Sequence, residues 1–293
     1  MTKTKPGMLR LHEDPDRFGE ALNFTEAETT FAARLVEKDY YCTIMLDYLA
    51  AKAPGLVFKG GTCLAKIYAD FFRLSEDLDF VIPVEADSTR TERRRLAAPV
   101  KEAFSRLVEA LPCFRIKEAL AGANNSTQYV GSVSYRSLAT GQDETVKIEV
   151  ALREPLIMPA VSGDARTAVL NPLNGGAMVA PVSVLCIAKV EAFAEKFRAA
   201  LSRREVAARD FFDLDYAVRK LGLRTDDEEL VRQVRRKLAV RGNAPVDVSE
   251  QRLAELRQQI EPQLRPVLRR EDFAAFDVER AFRVVAEMAT KVG

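Results

Sequence analysis

The sequence predicts an α/β (α+β) domain with a mixed sheet over residues 1–180, followed by an all-helical domain over residues 181–293. Three observations support this division. Helix-like and strand-like segments alternate up to about residue 111. Three strand-like segments, separated by turn residues, follow between Cys113 and Glu154. From residue 181 onward the apolar residues recur with helical periodicity, which is interrupted only at Gly222 and at residues 241–245.

The segments of the first domain are assigned in chain order. Thr25 and Glu28 have the spacing of a capping box, which predicts a helix from residue 25 to about residue 52. Pro54 and Gly55 then end that helix. Residues 155–181 are rich in proline and glycine and are predicted to be irregular. The other predicted elements are a strand at 56–58, a helix at 62–72, a strand at 78–82 and a helix at 92–111.

Composition excludes several classes of protein. The net charge is +1, so any surface for a nucleic acid has to be local. The single histidine, His12, stands in a polar N-terminal stretch where we expect mobility, which argues against a Ser-His-Asp triad. The four cysteines show no CxxC spacing, and no segment is apolar enough to span a bilayer. We therefore expect a cytoplasmic protein with reduced thiols, without membrane attachment and monomeric.

The most informative stretch is FKGGTCLAKIYADFFRLSEDLDF, from Phe58 to Phe80. Gly60, Gly61 and Thr62 precede a predicted helix, where glycines let backbone N–H groups approach a phosphate closely. Asp77 and Asp79 are two residues apart on a predicted strand, so their side chains share a face. Two carboxylates on one face, with phosphates nearby, are typical of a Mg²⁺ site. An acidic strand start or an Asx turn is the alternative interpretation, and the upstream glycines favour the metal site.

A third carboxylate is predicted on a neighbouring strand. Alternation in TVKIEV places Glu149 on the polar face, opposite Val146, Ile148 and Val150. Taken alone, the pattern favours a solvent-exposed Lys147–Glu149 pair. Beside the two aspartates, a metal ligand becomes the preferred interpretation.

The helical domain offers a second group of candidates. Lys189, Lys196, Arg203 and Asp210 are spaced by seven and would share a face of a continuous helix, which a break near Ser202 would spoil. Lys196 is flanked by apolar residues, so we interpret it as a lysine able to bind a triphosphate as a point charge. For Lys189 a solvated helix face is slightly preferred.

The helix that follows begins with charged residues. Asp210 and Asp213 lie near its N-terminus, where they either interact with the helix dipole or orient Lys196 and serve as a base.

These residues, in this order, resemble the AbiEii nucleotidyltransferase toxins, including their MenT-type members, of the DNA polymerase β-like nucleotidyltransferase superfamily. The resemblance spans roughly residues 31–220 and rests on the segments EKDYYCTIMLDYLA, LVFKGGTCLAKIY, RLSEDLDF, KIEV, AEKFRAALSR and ARDFFDL. It implies a polymerase β-like catalytic domain over residues 1–180 and a helical domain over residues 181–293 that adds Lys, Arg and Asp side chains to the active-site cleft.

The resemblance also implies an activity. Such a toxin would use an NTP and Mg²⁺ to add nucleoside monophosphate to the 3′ acceptor end of tRNA, which blocks aminoacylation. Transfer to a protein hydroxyl, and a non-catalytic protein that binds an antitoxin or RNA, remain open as alternatives. The implied metal ligands are Asp77, Asp79 and Glu149, and these three act in catalysis together with Lys196 and Asp210. The implied nucleotide-binding residues are Gly60, Gly61, Thr62, Arg209 and Asp213. Ser75 and Lys189 are added as further candidates for nucleotide binding, although Lys189 has no counterpart in the family's motifs.

Two partners follow from the same resemblance. The first is a cognate antitoxin, which would act through phosphorylation of a serine or without direct contact. Ser75 is the candidate serine because it stands two residues before Asp77, and a serine that bonds its own backbone is the alternative interpretation. A tRNA needs basic surface, and the candidates are residues 93–95, residues 203–204, and Arg232, Arg235, Arg236 and Lys237 on the outer face of an amphipathic helix.

Overall fold

The computed structural model describes residues 10–293, which form two compact units. Unit 1 comprises residues 10–156 and 160–186, and unit 2 comprises residues 157–159 and 187–293. Within residues 10–293, no helix is both long enough and apolar enough to cross a membrane.

Unit 1 combines five α-helices with a seven-stranded mixed sheet among its described residues. The sheet order is β3-β4-β5-β2-β1-β7-β6. Strand β2 pairs antiparallel with β1 and parallel with β5, while β1 pairs parallel with β7. The helices are α1 Pro15–Thr29, α2 Ala33–Lys52, α3 Gly60–Cys63, α4 Arg90–Ser105 and α5 Leu107–Ala110. The strands are β1 Val57–Lys59, β2 Asp77–Val81, β3 Phe114–Ala123, β4 Gln128–Arg136, β5 Asp143–Ala151, β6 Val161–Ala165 and β7 Val182–Cys186.

One face of the sheet forms the core of unit 1. Leu78 pairs with Ile148 in register, Phe80 pairs with Val150, and all four side chains are buried. Helix α2 packs against β2, β5 and β7. The polar residues between these positions lie on the opposite face, as the alternation in β5 predicted.

Unit 2 consists of helices in its described part. Its elements are α6 Lys189–Ser202, α7 Ala208–Lys220, α8 Glu228–Leu238, α9 Glu250–Gln259, α10 Arg270–Ala274 and α11 Val278–Val292. The mixed sheet in the first part of the chain and the helices in the second confirm the predicted fold class.

Several local predictions were wrong. No capping box starts at Thr25, because this residue lies inside α1, where its buried hydroxyl donates to the carbonyl of Ala21 at 2.7 Å. Helix α1 begins earlier, with Asp14 as its N-cap and Pro15 in its first turn. His12 is not in a loose tail, since its backbone N–H donates to the hydroxyl of Tyr40 at 3.2 Å.

Two strands were missed in the segment predicted to be irregular and then helical. They are β6 and β7, which pair antiparallel at one end of the sheet. In β7, Val182, Val184 and Cys186 are buried and alternate with exposed residues. This alternation covers only five residues, which is too short to distinguish from the start of a helical pattern.

A buried ion pair joins α2 to the helical turn after α3. The ammonium of Lys66 lies 2.7 Å from a carboxylate oxygen of Asp39 and also donates to the hydroxyl of Thr43 at 2.6 Å. Both charged side chains are almost fully buried. The second oxygen of Asp39 accepts the backbone N–H of Ala168 at 2.9 Å, so the pair also holds the segment before β7.

Replacement of Lys66 by methionine is expected to destabilise the protein by about 3–5 kcal/mol, because it leaves the Asp39 carboxylate buried without its counter-charge. Urea unfolding measures the change. The control is Arg106→Met, which removes an exposed pair with Glu109 and should change stability little. Equal stability losses in the two variants would contradict the importance of the buried pair.

Candidate active site

The polar face of β2 carries two of the predicted carboxylates. Asp77 is exposed and Asp79 is half-buried, while Leu78 and Phe80 between and after them face the core. Asp77 and Asp79 therefore share one face of the strand, as predicted from their spacing.

The parallel pairing of β2 with β5 sets Glu149 beside Asp79. Asp79 is in register with Glu149, and Asp77 is in register with Lys147. Since paired strands lie about 4.8 Å apart, the two carboxylates occupy adjacent positions on one face. The Lys147 ammonium lies 3.4 Å from the Glu149 carboxylate, so the lysine–glutamate pair of the alternative interpretation is also present.

Sequence analysis missed a cation in this row. Lys59, the last residue of β1, is in antiparallel register with Asp79. Residues directly opposite each other on paired strands point to the same face, so Lys59, Asp79 and Glu149 form one row across three strands. The signal that would have found it is its position directly before the glycines.

The first residue of the glycine pair packs against Asp79 in this row. Gly60 has a φ of +78°, a backbone conformation that favours glycine. A Cβ atom on Gly60 would lie 2.3 Å from a carboxylate oxygen of Asp79. The hydroxyl of Thr62 donates to the backbone carbonyl of Asp77. The turn that begins α3 is thus held against the start of β2.

Four charged side chains anchor the beginning of β2 and of β5 to helix α2. Glu76, directly before Asp77, accepts from the Lys38 ammonium at 2.9 Å and lies 3.4 Å from Arg34. Arg34 also contacts Glu144 of β5 at 3.0 Å. These ion pairs fix the strand ends from which the site carboxylates project.

Two thiols lie beneath the same turn. They are Cys63, which follows Thr62 directly, and Cys186 at the end of β7. The pKa of the Cys186 thiol is lowered to about 7 by a hydrogen bond with the Cys63 thiol and by a second one with the hydroxyl of Tyr68. Both cysteines are buried and all four in the chain are free thiols.

The donor chemistry suits Mg²⁺, which takes carboxylate oxygens and completes its shell with substrate phosphates and water. Within residues 10–293, no group of three or more His, Cys, Asp or Glu side chains is arranged to hold a metal ion. Mg²⁺ commonly needs only one or two protein carboxylates, and the adjacent Asp79 and Glu149 supply these. The residues present therefore fit such an ion, with Asp77 on the same face.

The lysine cluster of unit 2 is built from α6 and α7. Helix α6 ends at Ser202, so the spacing by seven does not run along one continuous helix. The Lys196 ammonium nevertheless lies 2.8 Å from Asp210 and 2.8 Å from Asp213, both buried carboxylates. Arg203 also contacts Asp210, at 3.2 Å.

The other candidates in unit 2 are placed differently. Lys189, at the start of α6, is exposed, and Arg209 is half-buried. Lys237 does not belong to a basic outer face, because it is buried and pairs with Glu191 at 2.8 Å and Glu195 at 3.1 Å. Arg232 and Arg236 of the same helix are exposed.

The chain matches the family described as "Nucleotidyl transferase AbiEii toxin, Type IV TA system" over residues 44–285. It therefore belongs to this family of nucleotidyltransferase toxins of type IV toxin–antitoxin systems, as the resemblance of its motifs predicted. The family implies an NTP as substrate and an antitoxin as partner.

Solved structures share the fold. The nucleotidyltransferase toxin MenT4 from Mycobacterium tuberculosis aligns with a TM-score of 0.56 and 20% identity, over 86% of this chain and 84% of MenT4. JHP933 from Helicobacter pylori aligns with a TM-score of 0.51 and 16% identity, over 89% of this chain and 93% of JHP933. Among proteins of curated function, none matches the chain.

Gly60→Ala is expected to abolish nucleotidyl transfer, because the new methyl group has to displace the Asp79 carboxylate. A matched control exists in Gly141→Ala, since Gly141 also has a positive φ of +66° but has nothing within 4 Å of its Cβ position. Both variants should lose about 1 kcal/mol of stability from backbone strain. Transfer of α-labelled NTP and urea unfolding measure the two effects, and equal activity in both variants would contradict the close packing of Asp79 on Gly60.

Proposed function

We propose that the protein transfers a nucleoside monophosphate from an NTP to the 3′ acceptor end of tRNA and so blocks aminoacylation and translation. The observation that carries this proposal is the register of β2 with β5, which sets Asp79 beside Glu149 while Gly60 packs on Asp79. A carboxylate pair next to a glycine turn suits the chemistry of phosphoryl groups, where positioning and charge stabilisation supply most of the catalysis.

In this proposal the adjacent Asp79 and Glu149 would hold Mg²⁺, and Asp77 on the same face of β2 would supply a further carboxylate when the ion binds together with the NTP. The ion, when bound, would neutralise charge on the phosphates and on the leaving pyrophosphate. The register of β2 with β5 and the burial of the alternate residues Leu78 and Ile148 place both carboxylates on one side of the sheet.

The Gly60–Gly61–Thr62 turn would bind the triphosphate. Its backbone N–H groups lie at the start of a helical segment that runs through Tyr68, and the bond from Thr62 to Asp77 fixes the turn. Lys59, in the same row as Asp79, would add a positive charge beside the phosphates.

The acceptor is proposed to be RNA on the strength of exposed arginines. Arg94 and Arg95 on α4, and Arg203 and Arg204 between α6 and α7, are exposed. Arginine side chains of this kind contact phosphates, which makes binding depend steeply on salt. The catalytic roles expected of Lys196 and Asp210, and the nucleotide-binding roles expected of Lys189, Arg209 and Asp213, remain predictions.

The antitoxin is proposed to act on Ser75 by phosphorylation. The hydroxyl oxygen of Ser75 lies 3.4 Å from the position that a Cβ on Gly61 would occupy. A phosphate there would add about −1.5 to −2 charges beside the turn and repel a triphosphate. Action without direct contact is the alternative.

The test incubates the protein with Mg²⁺, total bacterial tRNA and each α-³²P-labelled NTP in turn. We expect label at the 3′ end of tRNA from one NTP, and a loss of at least about a hundredfold in Asp79→Asn and in Glu149→Gln, because each removes a metal ligand. The matched control is Asp143→Asn, which changes an exposed carboxylate at the start of β5 and should keep full activity.

Label on protein instead of tRNA would move the acceptor to a polypeptide hydroxyl and overturn the tRNA assignment. Full transfer by Glu149→Gln would remove this residue from the site. An absence of label with every NTP would refute the proposed function.

A further inference from the structure

We propose that Arg73 is a positioning residue of the nucleotide-binding turn: its buried guanidinium holds the Gly61 backbone in place and supplies a fixed positive charge beneath the bound triphosphate. This inference rests on the proposed function of the Gly60–Gly61–Thr62 turn. It also explains why glycine is required at position 61, for a reason that differs from the one at position 60.

Arg73 is among the largest buried side chains in the described residues, with 2% of its surface exposed. One terminal nitrogen of its guanidinium donates to the carbonyl of Leu74 at 3.2 Å, and the group lies 5.5 Å from the ring centre of Phe72. Burial of a guanidinium costs several kcal/mol in desolvation, so the contacts that Arg73 makes in its buried position have to offset this cost.

The other terminal nitrogen lies over the backbone of Gly61. A Cβ atom on Gly61 would be 2.5 Å from this nitrogen and 3.4 Å from the hydroxyl of Ser75. Gly61 is not among the glycines with a positive φ, so backbone conformation does not require glycine here. The requirement is space, and Arg73 fills it.

The two glycines therefore meet opposite charges. The Asp79 carboxylate packs on Gly60, and the Arg73 guanidinium packs on Gly61. Arg73 precedes Ser75 and Asp77 by a few residues, so it links the glycine turn to the start of the carboxylate strand. Because a guanidinium remains charged at physiological pH, it provides a permanent positive charge that needs no rearrangement when phosphates bind.

The experiment measures kcat and KM for the NTP, together with urea unfolding, in Arg73→Gln, Arg73→Lys, Gly61→Ala and the double variant Gly61→Ala/Arg73→Gln. We expect Arg73→Gln and Gly61→Ala each to raise KM by roughly tenfold, because the first removes the guanidinium from the turn and the second displaces it with a methyl group. The double variant should be no worse than either single one, since both changes disrupt the same contact. Arg73→Lys should recover part of the affinity because it keeps the charge.

The control is Arg252→Gln in unit 2, where another buried arginine, 3% exposed, donates to the carbonyl of Ala200 at 3.1 Å. It should lower stability without changing KM. The proposal is overturned if Arg73→Gln changes stability alone, if the effects of the two single variants multiply in the double variant, or if Arg73→Lys binds NTP no better than Arg73→Gln.

A separate measurement keeps this test apart from that of the proposed function. If the wild-type protein transfers no label from any NTP, the proposed function fails. The affinity of each variant for the Mg²⁺ complex of ATP, CTP, GTP or UTP, measured by equilibrium dialysis, still judges Arg73. Weaker binding in Arg73→Gln than in Arg252→Gln supports the proposal, and equal binding overturns it.

Discussion

The parallel pairing of β2 with β5 is the constraint on which the site depends. In this register Asp79 and Glu149 occupy adjacent positions, and their core-facing neighbours Leu78 and Ile148 are fully buried. A slip by one residue would bury the carboxylates and expose the apolar side chains, so hydrophobic burial on one face enforces the charged arrangement on the other. Asp79 and Glu149 stay adjacent despite the repulsion between their negative charges, because packing of the core fixes the register.

Ion pairs attach helix α2 to the segments around the site, which strand pairing alone does not do. Lys66 and Asp39 join the helical turn after α3 to α2, and Glu76 ties the start of β2 to the same helix through Lys38. These ion pairs therefore join α2 to the segment after the glycine turn and to the residue directly before β2. In unit 2, Lys196 between Asp210 and Asp213 is a comparable buried cluster. Removing one partner from any of these clusters is expected to destabilise the protein, because the remaining charge stays buried.

The sequence was sufficient for the fold class and for the shared face of Asp77 and Asp79, since both follow from periodicity and local spacing. It failed at Thr25, where a capping-box spacing occurs by chance inside a helix, and at β7, whose alternation is short. It also missed Lys59, although the position of this lysine directly before the glycines was a signal, and Arg73, because the packing of a guanidinium on Gly61 depends on contacts that no spacing encodes. Lys237 was misassigned since an amphipathic pattern does not show which lysine finds buried carboxylates.

The central claim, that Asp79 and Glu149 jointly hold a divalent cation, is tested most directly by titrating Mn²⁺ in the presence of an NTP and recording free Mn²⁺ by EPR. Wild-type protein should bind the ion, and Asp79→Asn and Glu149→Gln should each weaken binding by at least about tenfold. Lys147→Gln should not weaken binding, because it removes a positive charge that competes with the cation for Glu149. Unchanged Mn²⁺ affinity in Glu149→Gln would contradict the account.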